Sequence, residues 1–444
     1  MNREDMLMKL RPLLLILCVL AYTTAHTQDQ SVRNIFFDTL RTGESHPTPI
    51  GVDEMMYVGN RYITGDDSAL MRYTMTIVQR DLDFYADLDL VPLDSFYLKT
   101  YEISEMNLIG WERLGADLVV RLEAEFPGQN LRVAWKLFET ARLRQVAKGR
   151  LEYHRSFWRQ LGHDIANEVV YTLTGEPGIF RTKVVYARKM EKAKELFISD
   201  YDGANERQLT RTGSINISPA FAPNGEDLYF TSYMDGDPQL YGIDIKSGEI
   251  TKVASFPGIV GAPSVSPDGN KIACVLTKDG NSEIYVLNLN GRIIKRLTHH
   301  WAIESAPTWS PDGRLIAFSS DRTGSPQIYI MDSDGINTRR LTYEGGYNDS
   351  PVWSRRGDRI TFVSRDKYGR FDLASIDTSG TEYRILTEIR MNENPHFSPD
   401  GKHIIFSSNR LGSWEIFTMD ISGRNQRRLT RSGNCSNPAW GPAR

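Results

Sequence analysis

Pro307-Thr308-Trp309-Ser310-Pro311-Asp312-Gly313 follows Pro263-Ser264-Val265-Ser266-Pro267-Asp268-Gly269 after 44 residues, and the same phrase recurs on both sides. Pro219-Ala220-Phe221-Ala222-Pro223-Asn224-Gly225 precedes the pair, and Pro351-Val352-Trp353-Ser354-Arg355-Arg356-Gly357 is a weaker copy. Pro395-His396-Phe397-Ser398-Pro399-Asp400-Gly401 is the fifth, and Pro438-Ala439-Trp440-Gly441-Pro442 a truncated sixth. The leading prolines are separated by 44, 44, 44, 44 and 43 residues. A second anchor keeps step: Leu209-Thr210, Leu297-Thr298, Leu341-Thr342, Leu386-Thr387 and Leu429-Thr430.

Inside one unit the chain reads as strands. Leu315-Ile316-Ala317-Phe318-Ser319-Ser320 and Gln327-Ile328-Tyr329-Ile330-Met331-Asp332 are rich in β-branched and aromatic residues, and Asp321–Pro326 between them is turn-forming. Ser-Pro-Asp-Gly supplies another turn, with proline presetting φ near −65° and glycine taking the positive-φ place. Asp334-Gly335 turns the next hairpin. Four short strands in about 44 residues is the signature of a β-propeller blade. The leading proline fits an innermost strand, where a missing N–H breaks no ladder. Five units are complete, and residues 183–210 supply three further strands without the first. Residues 438–444 are a first strand with nothing after it, so together they close a ring of six blades.

The first half is different. Leu70, Tyr73, Ile77 and Val78 fall on one helical face, as do Trp158, Leu161, Ile165 and Val169. Residues 116–122 and 131–137 read as strands between them. The expected order is a signal peptide over 1–25, an arm over 26–34, a small α/β domain over 35–176, a linker over 177–182 and the propeller over 183–444. Lys9 and Arg11 precede an uncharged run, Leu13 to Ala21, and small residues follow it, which predicts export with cleavage near Ala25. Glu4 and Asp5 suit a start at Met6 or Met8, and bulky Leu17 argues against lipidation of Cys18. Removal of that segment leaves Cys274 and Cys435, too few for a disulfide framework.

A length of 444 residues allows about three domains. The net charge of −3 gives no field for drawing in a phosphate backbone, so nucleic acid is not expected as a partner. The chain has no Gly-x-Ser-x-Gly elbow, no phosphate-binding glycine loop and no His-Glu-x-x-His. His299-His300 lacks further ligands for a metal, and Asp332-Ser333-Asp334-Gly335 reads as a hairpin turn rather than a calcium loop. No cofactor is expected. An enzyme of the propeller-peptidase or glycan-acting kind would need acidic or nucleophilic groups converging on one channel mouth, and no such set is visible. An exported binding propeller outside the system named below is the other alternative.

The loops between the last strand of one blade and the first of the next carry more information. They span 256–262, 299–306, 343–350, 388–394 and 431–437, and propeller topology brings all of them to one end of the channel. Ile259, Trp301, Tyr347 and Met391 are apolar within otherwise polar loops, which suits protein or peptide binding.

These residues resemble the TolB family of the Tol–Pal system. The likeness is carried by the repeat, by Val253-Ala254-Ser255-Phe256-Pro257-Gly258, by Ser320 to Tyr329, by Arg340 to Gly345, and before the propeller by Gly115 to Val119 and Leu173 to Gly178. The resemblance implies a monomeric, non-catalytic periplasmic protein. Its propeller mouth would bind Pal, the peptidoglycan-associated lipoprotein, and its arm would bind TolA, in support of outer-membrane invagination and integrity. The family's Pal-contacting positions fall here on Ile259, Ala262, Ser305 and Ala306, with Trp301, Tyr347, Asn348 and Met391 sharing the rim. Ile259 stands where a histidine is common and Ala306 where an acid is common. In the arm, Ser31-Val32-Arg33 is similar to the family, so Val32 and Arg33 are the expected TolA contacts, while Asn34 departs from it.

Overall fold

The computed structural model describes residues 47–93 and 107–443. The signal segment, the arm with Val32 and Arg33, and residues 35–46 and 94–106 of the expected α/β domain lie outside the described residues.

The first half folds as a sheet with helices on both faces. Strands β1 (Thr48–Val52), β2 (Met56–Tyr57), β3 (Leu88–Leu90), β4 (Leu118–Glu125), β5 (Asn130–Glu139) and β6 (Arg144–His154) form a sheet of order β3-β1-β4-β5-β6, with β2 beside β4. Along β5 the side chains alternate, and Leu131, Val133, Trp135 and Leu137 turn inward. They meet helices α1 (Gly65–Phe84) and α3 (Trp158–Thr174), while α2 (Leu108–Arg113) covers the other face through Trp111. Thr64 caps α1: its side chain accepts the N–H of Asp67, whose carboxylate accepts the N–H of Thr64 in return. Of the four residues expected on the buried face of α1, Ile77 and Val78 are buried, but Tyr73 is exposed at the edge, where its ring lies 5.5 Å from that of Trp158.

The second half is six four-stranded antiparallel sheets. Blade 4 shows the pattern, with an inner strand Glu304–Trp309, then Leu315–Ser320, Gln327–Asp332 and an outer strand Arg339–Arg340. We number the others from blade 1, whose strands Lys183–Lys189, Lys194–Asp200 and Arg207–Gln208 take their inner partner from Cys435–Trp440 at the far end of the chain. There Cys435 pairs with Arg188 and Trp440 with Val184. Cys274 and Cys435 are both buried and free.

Each recurrent sequence feature has a structural task. The residue before every leading proline has positive φ, from 47° to 55°: Ser218, Ala262, Ala306, Ser350, Asn394 and Asn437. That residue and its proline stand opposite a single residue of the next strand, which makes six β-bulges around the channel. The threonine of each Leu-Thr pair is buried. The hydroxyl of Thr342 accepts the N–H of Ile328 at 2.9 Å and donates to Gln327 Oε1 at 2.8 Å. Thr210, Thr387 and Thr430 likewise accept a strand N–H and donate to the buried Glu195, Asp372 and Glu415. Gly335, with φ of 89°, turns so close to the neighbouring blade that a Cβ would stand 2.7 Å from Leu297 O.

In this topology the Ser-Pro-Asp-Gly turns and the turns between third and outer strands share one face. The N-terminal domain packs on that face at blades 1 and 6 and reaches blade 5 through Glu176 and Arg356. Asp81 of α1 is buried, bonded to His163 Nδ1 at 2.7 Å and to the Tyr201 hydroxyl of blade 1. Burial pushes its carboxyl up, against the pull of His163 and Tyr201. On blade 6, Lys402 Nζ donates to Tyr85 Oη at 2.8 Å and to Asp87 at 2.6 Å, and His403 stacks on Phe84 at 4.5 Å. Trp440 Nε1 donates to Thr182 Oγ1 at 2.9 Å, and one hydrophobic cluster runs through both domains there. The opposite face carries the interblade loops and remains uncovered by the described residues.

Candidate functional site: the interblade rim

Five residues at equivalent places in successive blades surround the open end of the channel: Ile215, Ile259, Ile303, Tyr347 and Met391, each 44 residues after the last. The three isoleucines are 45, 47 and 55 % exposed. Each of the five sits three residues before the positive-φ residue of its bulge. Its backbone is tied to the end of the second strand or to the loop that follows it in the blade it enters. Tyr233 N donates to Ile215 O at 3.0 Å, Thr277 N to Ile259 O at 3.1 Å, Arg365 N to Tyr347 O at 3.1 Å and Asn409 N to Met391 O at 3.2 Å. In the reverse direction Ile259 N donates to Thr277 Oγ1 at 2.8 Å, Ile303 N to Asp321 Oδ1 at 2.8 Å and Met391 N to Asn409 Oδ1 at 3.0 Å. The side chains therefore project from a backbone that is already fixed, and little ordering remains for a partner to impose.

Polar groups interleave with this ring. Tyr347 is half-buried; its hydroxyl donates to Asp349 at 3.0 Å, and the Arg365 guanidinium lies 4.9 Å from its ring centre. Burial, then Asp349, pushes the Tyr347 phenol up to about 12. Burial also raises the carboxyl of Glu393, against the attraction of Lys194. Trp301 is 77 % exposed, with its ring centre 5.2 Å from that of His300. His300 Nδ1 accepts the N–H of Ala302 at 3.1 Å, and the His300 backbone N–H donates to Glu283 Oε1 at 2.9 Å. Among the described residues no three metal-ligating side chains are grouped.

The sequence-picked rim residues separate into three sets. Ile259, Trp301, Tyr347 and Met391 stand on the open face. Ala262 and Ala306 lie lower, as bulge residues lining the channel, and half-buried Ser305 pairs with Ser319 one step outward. Asn348 does not belong to the rim surface. It is 0 % exposed, and its amide donates to Gln327 Oε1 at 2.9 Å and Glu344 O at 2.8 Å. Asn216 and Asn392 do the same in their own blades, through Glu195 and Asp372. Strand alternation turns this position inward, and in the free protein the Asn348 amide holds the loop. Ile215 and Ile303 were missed, although the 44-residue register places them with Ile259.

The TolB beta propeller domain family matches residues 170–444. The chain belongs to this family. Tol-Pal system protein TolB of Geobacter sulfurreducens is 37 % identical over 218 residues, 48 % of each chain. The protein of the same name from Rickettsia akari is 32 % identical over 224 residues, 49 % of each. The chain thus spans about half the length of the curated relatives it matches. TolB from Acinetobacter baumannii superposes over 90 % of this chain and 97 % of its own, with a TM-score of 0.78 and 27 % identity. The TolB-family architecture, a six-bladed propeller behind a small domain with helices and strands, extends across the described chain. None of its described helices is long and apolar enough to cross a membrane.

Proposed function

We propose that this protein is a non-catalytic, periplasmic component of the Tol–Pal system whose interblade rim binds the folded domain of a Pal-like peptidoglycan-associated lipoprotein. Its N-terminal arm, with Val32 and Arg33, binds TolA. Through Pal the protein associates peripherally with the outer membrane and supports its invagination at division and its integrity. The observation that carries this reading is the ring of Ile215, Ile259, Ile303, Tyr347 and Met391. Apolar side chains held in register around a mouth, with polar groups between them, match the composition of a protein-binding surface. The N-terminal domain covers the other face, which leaves this one for a partner.

Calorimetric titration with a purified Pal domain tests it. Full burial of an isoleucine contributes about 1.5–3 kcal/mol, and a charge left unpaired in the contact adds to the loss. Ile303→Asp and Ile259→Asp should each weaken binding at least tenfold while the melting temperature holds, because both side chains face solvent in the free protein. Ala262→Glu should weaken binding as well, by closing the channel mouth with a charge. Unchanged affinity in all three would move the partner surface away from the rim.

A further inference from the structure

The channel is a cavity of about 210 Å³ lined by the inner strands of all six blades. Of the residues that line it, only Arg355 carries a charge, and no carboxylate is among them. Arg355 also interrupts the repeat. Where it stands, the other blades place Pro223, Pro267, Pro311, Pro399 and Pro442. The next residue, Arg356, reaches out of the ring to Glu176 of the N-terminal domain at 3.4 Å. Arg355 has no hydrogen-bond or ion-pair partner among the described residues. Its side chain is exposed in the free protein, and partial desolvation by neighbouring segments of the chain lowers its pKa from the ordinary value. Its field is felt by His396 of the neighbouring blade, whose imidazole is pushed down to about 4 by burial and by Arg355, so that it is neutral at physiological pH.

We propose that the channel is an oxyanion-binding site, with the Arg355 guanidinium as the charged anchor. A planar guanidinium offers paired N–H donors that match two oxygens of a carboxylate or phosphate. An uncompensated cation in a confined space favours any anion that can enter. Ser264, Thr308 and His396 occupy equivalent places on three inner strands and line the same cavity, adding neutral polar groups without a competing negative charge. The volume accommodates one small oxyanion together with water.

Trp309, Trp353 and Trp440 line the cavity and report on it directly. The test titrates the full chain with sodium phosphate and, separately, with sodium acetate, at constant ionic strength, following tryptophan fluorescence. We expect a saturable change with at least one anion. In Arg355→Gln the apparent affinity should fall at least tenfold, and in Arg355→Pro, which restores the residue of the other blades, saturation should vanish. Phosphate alone saturating assigns a phosphate ligand; acetate saturating assigns a carboxylate, such as an acidic side chain or a chain terminus. Absence of saturation with either anion overturns the proposal, and so does saturation that survives both substitutions in folded protein.

Discussion

Replacing Trp440 by alanine probes the closure of the ring and the union of the two domains at once. The indole is 1 % exposed, its strand pairs with Val184 of blade 1, and its N–H donates to Thr182 at the domain junction. Its ring lies 6.4 Å from that of Phe84 in α1 and 6.3 Å from that of His403 in blade 6. Truncating a buried tryptophan costs about 3–5 kcal/mol, from lost transfer energy and from the cavity left behind. The whole margin of a domain is roughly 5–15 kcal/mol. For a unit of this size each kcal/mol moves Tm by about 2–4 °C, so Trp440→Ala should lower it by roughly 10 °C. Scanning calorimetry supplies the number, with Trp301→Ala as the control. That second indole is 77 % exposed and should change stability by about 0.5 kcal/mol or less. A Trp440→Ala protein melting within about 2 °C of the parent, by the same scale, would refute the closure argument and the shared core with it.

Thr342→Val removes the acceptor of the Ile328 N–H and the donor to buried Gln327, so it should cost about 2–3 kcal/mol and speed hydrogen exchange over residues 343–348; unchanged exchange would mean the hydroxyl does not hold that loop. His396 has a folded pKa of about 4 against about 6.5 when unfolded, so the unfolded state binds its proton first as pH falls. Stability is therefore greatest above about pH 6.5 and declines toward pH 4, by about 2 kcal/mol between pH 8 and 5. Urea unfolding of His396→Thr, which adopts the residue of blade 4 at this place, should show that slope flattened; an identical slope in the variant would assign it to other groups.

The propeller was legible because its signals are local and periodic. Turn residues and β-branched runs repeat every 44 residues, so each blade repeats the reading of the others. The bulges were not legible: nothing in an alanine foretells positive φ, yet Ala262 and Ala306 adopt it because the following proline leaves the ladder. The rim was read in part. Apolar residues in polar loops pointed to Ile259, Tyr347 and Met391. Judging loops by composition instead of register chose Trp301 and passed over Ile303 and Ile215. Asn348 was misread for a related reason, since its recurrence as Asn216 and Asn392 marks a buried structural amide. The contacts of Asp81 with His163 and Tyr201 join residues far apart in the chain, and no spacing rule connects them.

The face that meets the partner decides between the rim and every other surface of the protein. Hydrogen–deuterium exchange of the full chain, alone and saturated with the Pal domain, reads this without any substitution. The interblade loops at 256–262, 299–306, 343–350 and 388–394 should gain protection together, while the Ser-Pro-Asp-Gly turns and the N-terminal domain stay unchanged. Protection confined to the turn face or to α1 and α3, with the rim loops exchanging as in the free protein, would contradict it.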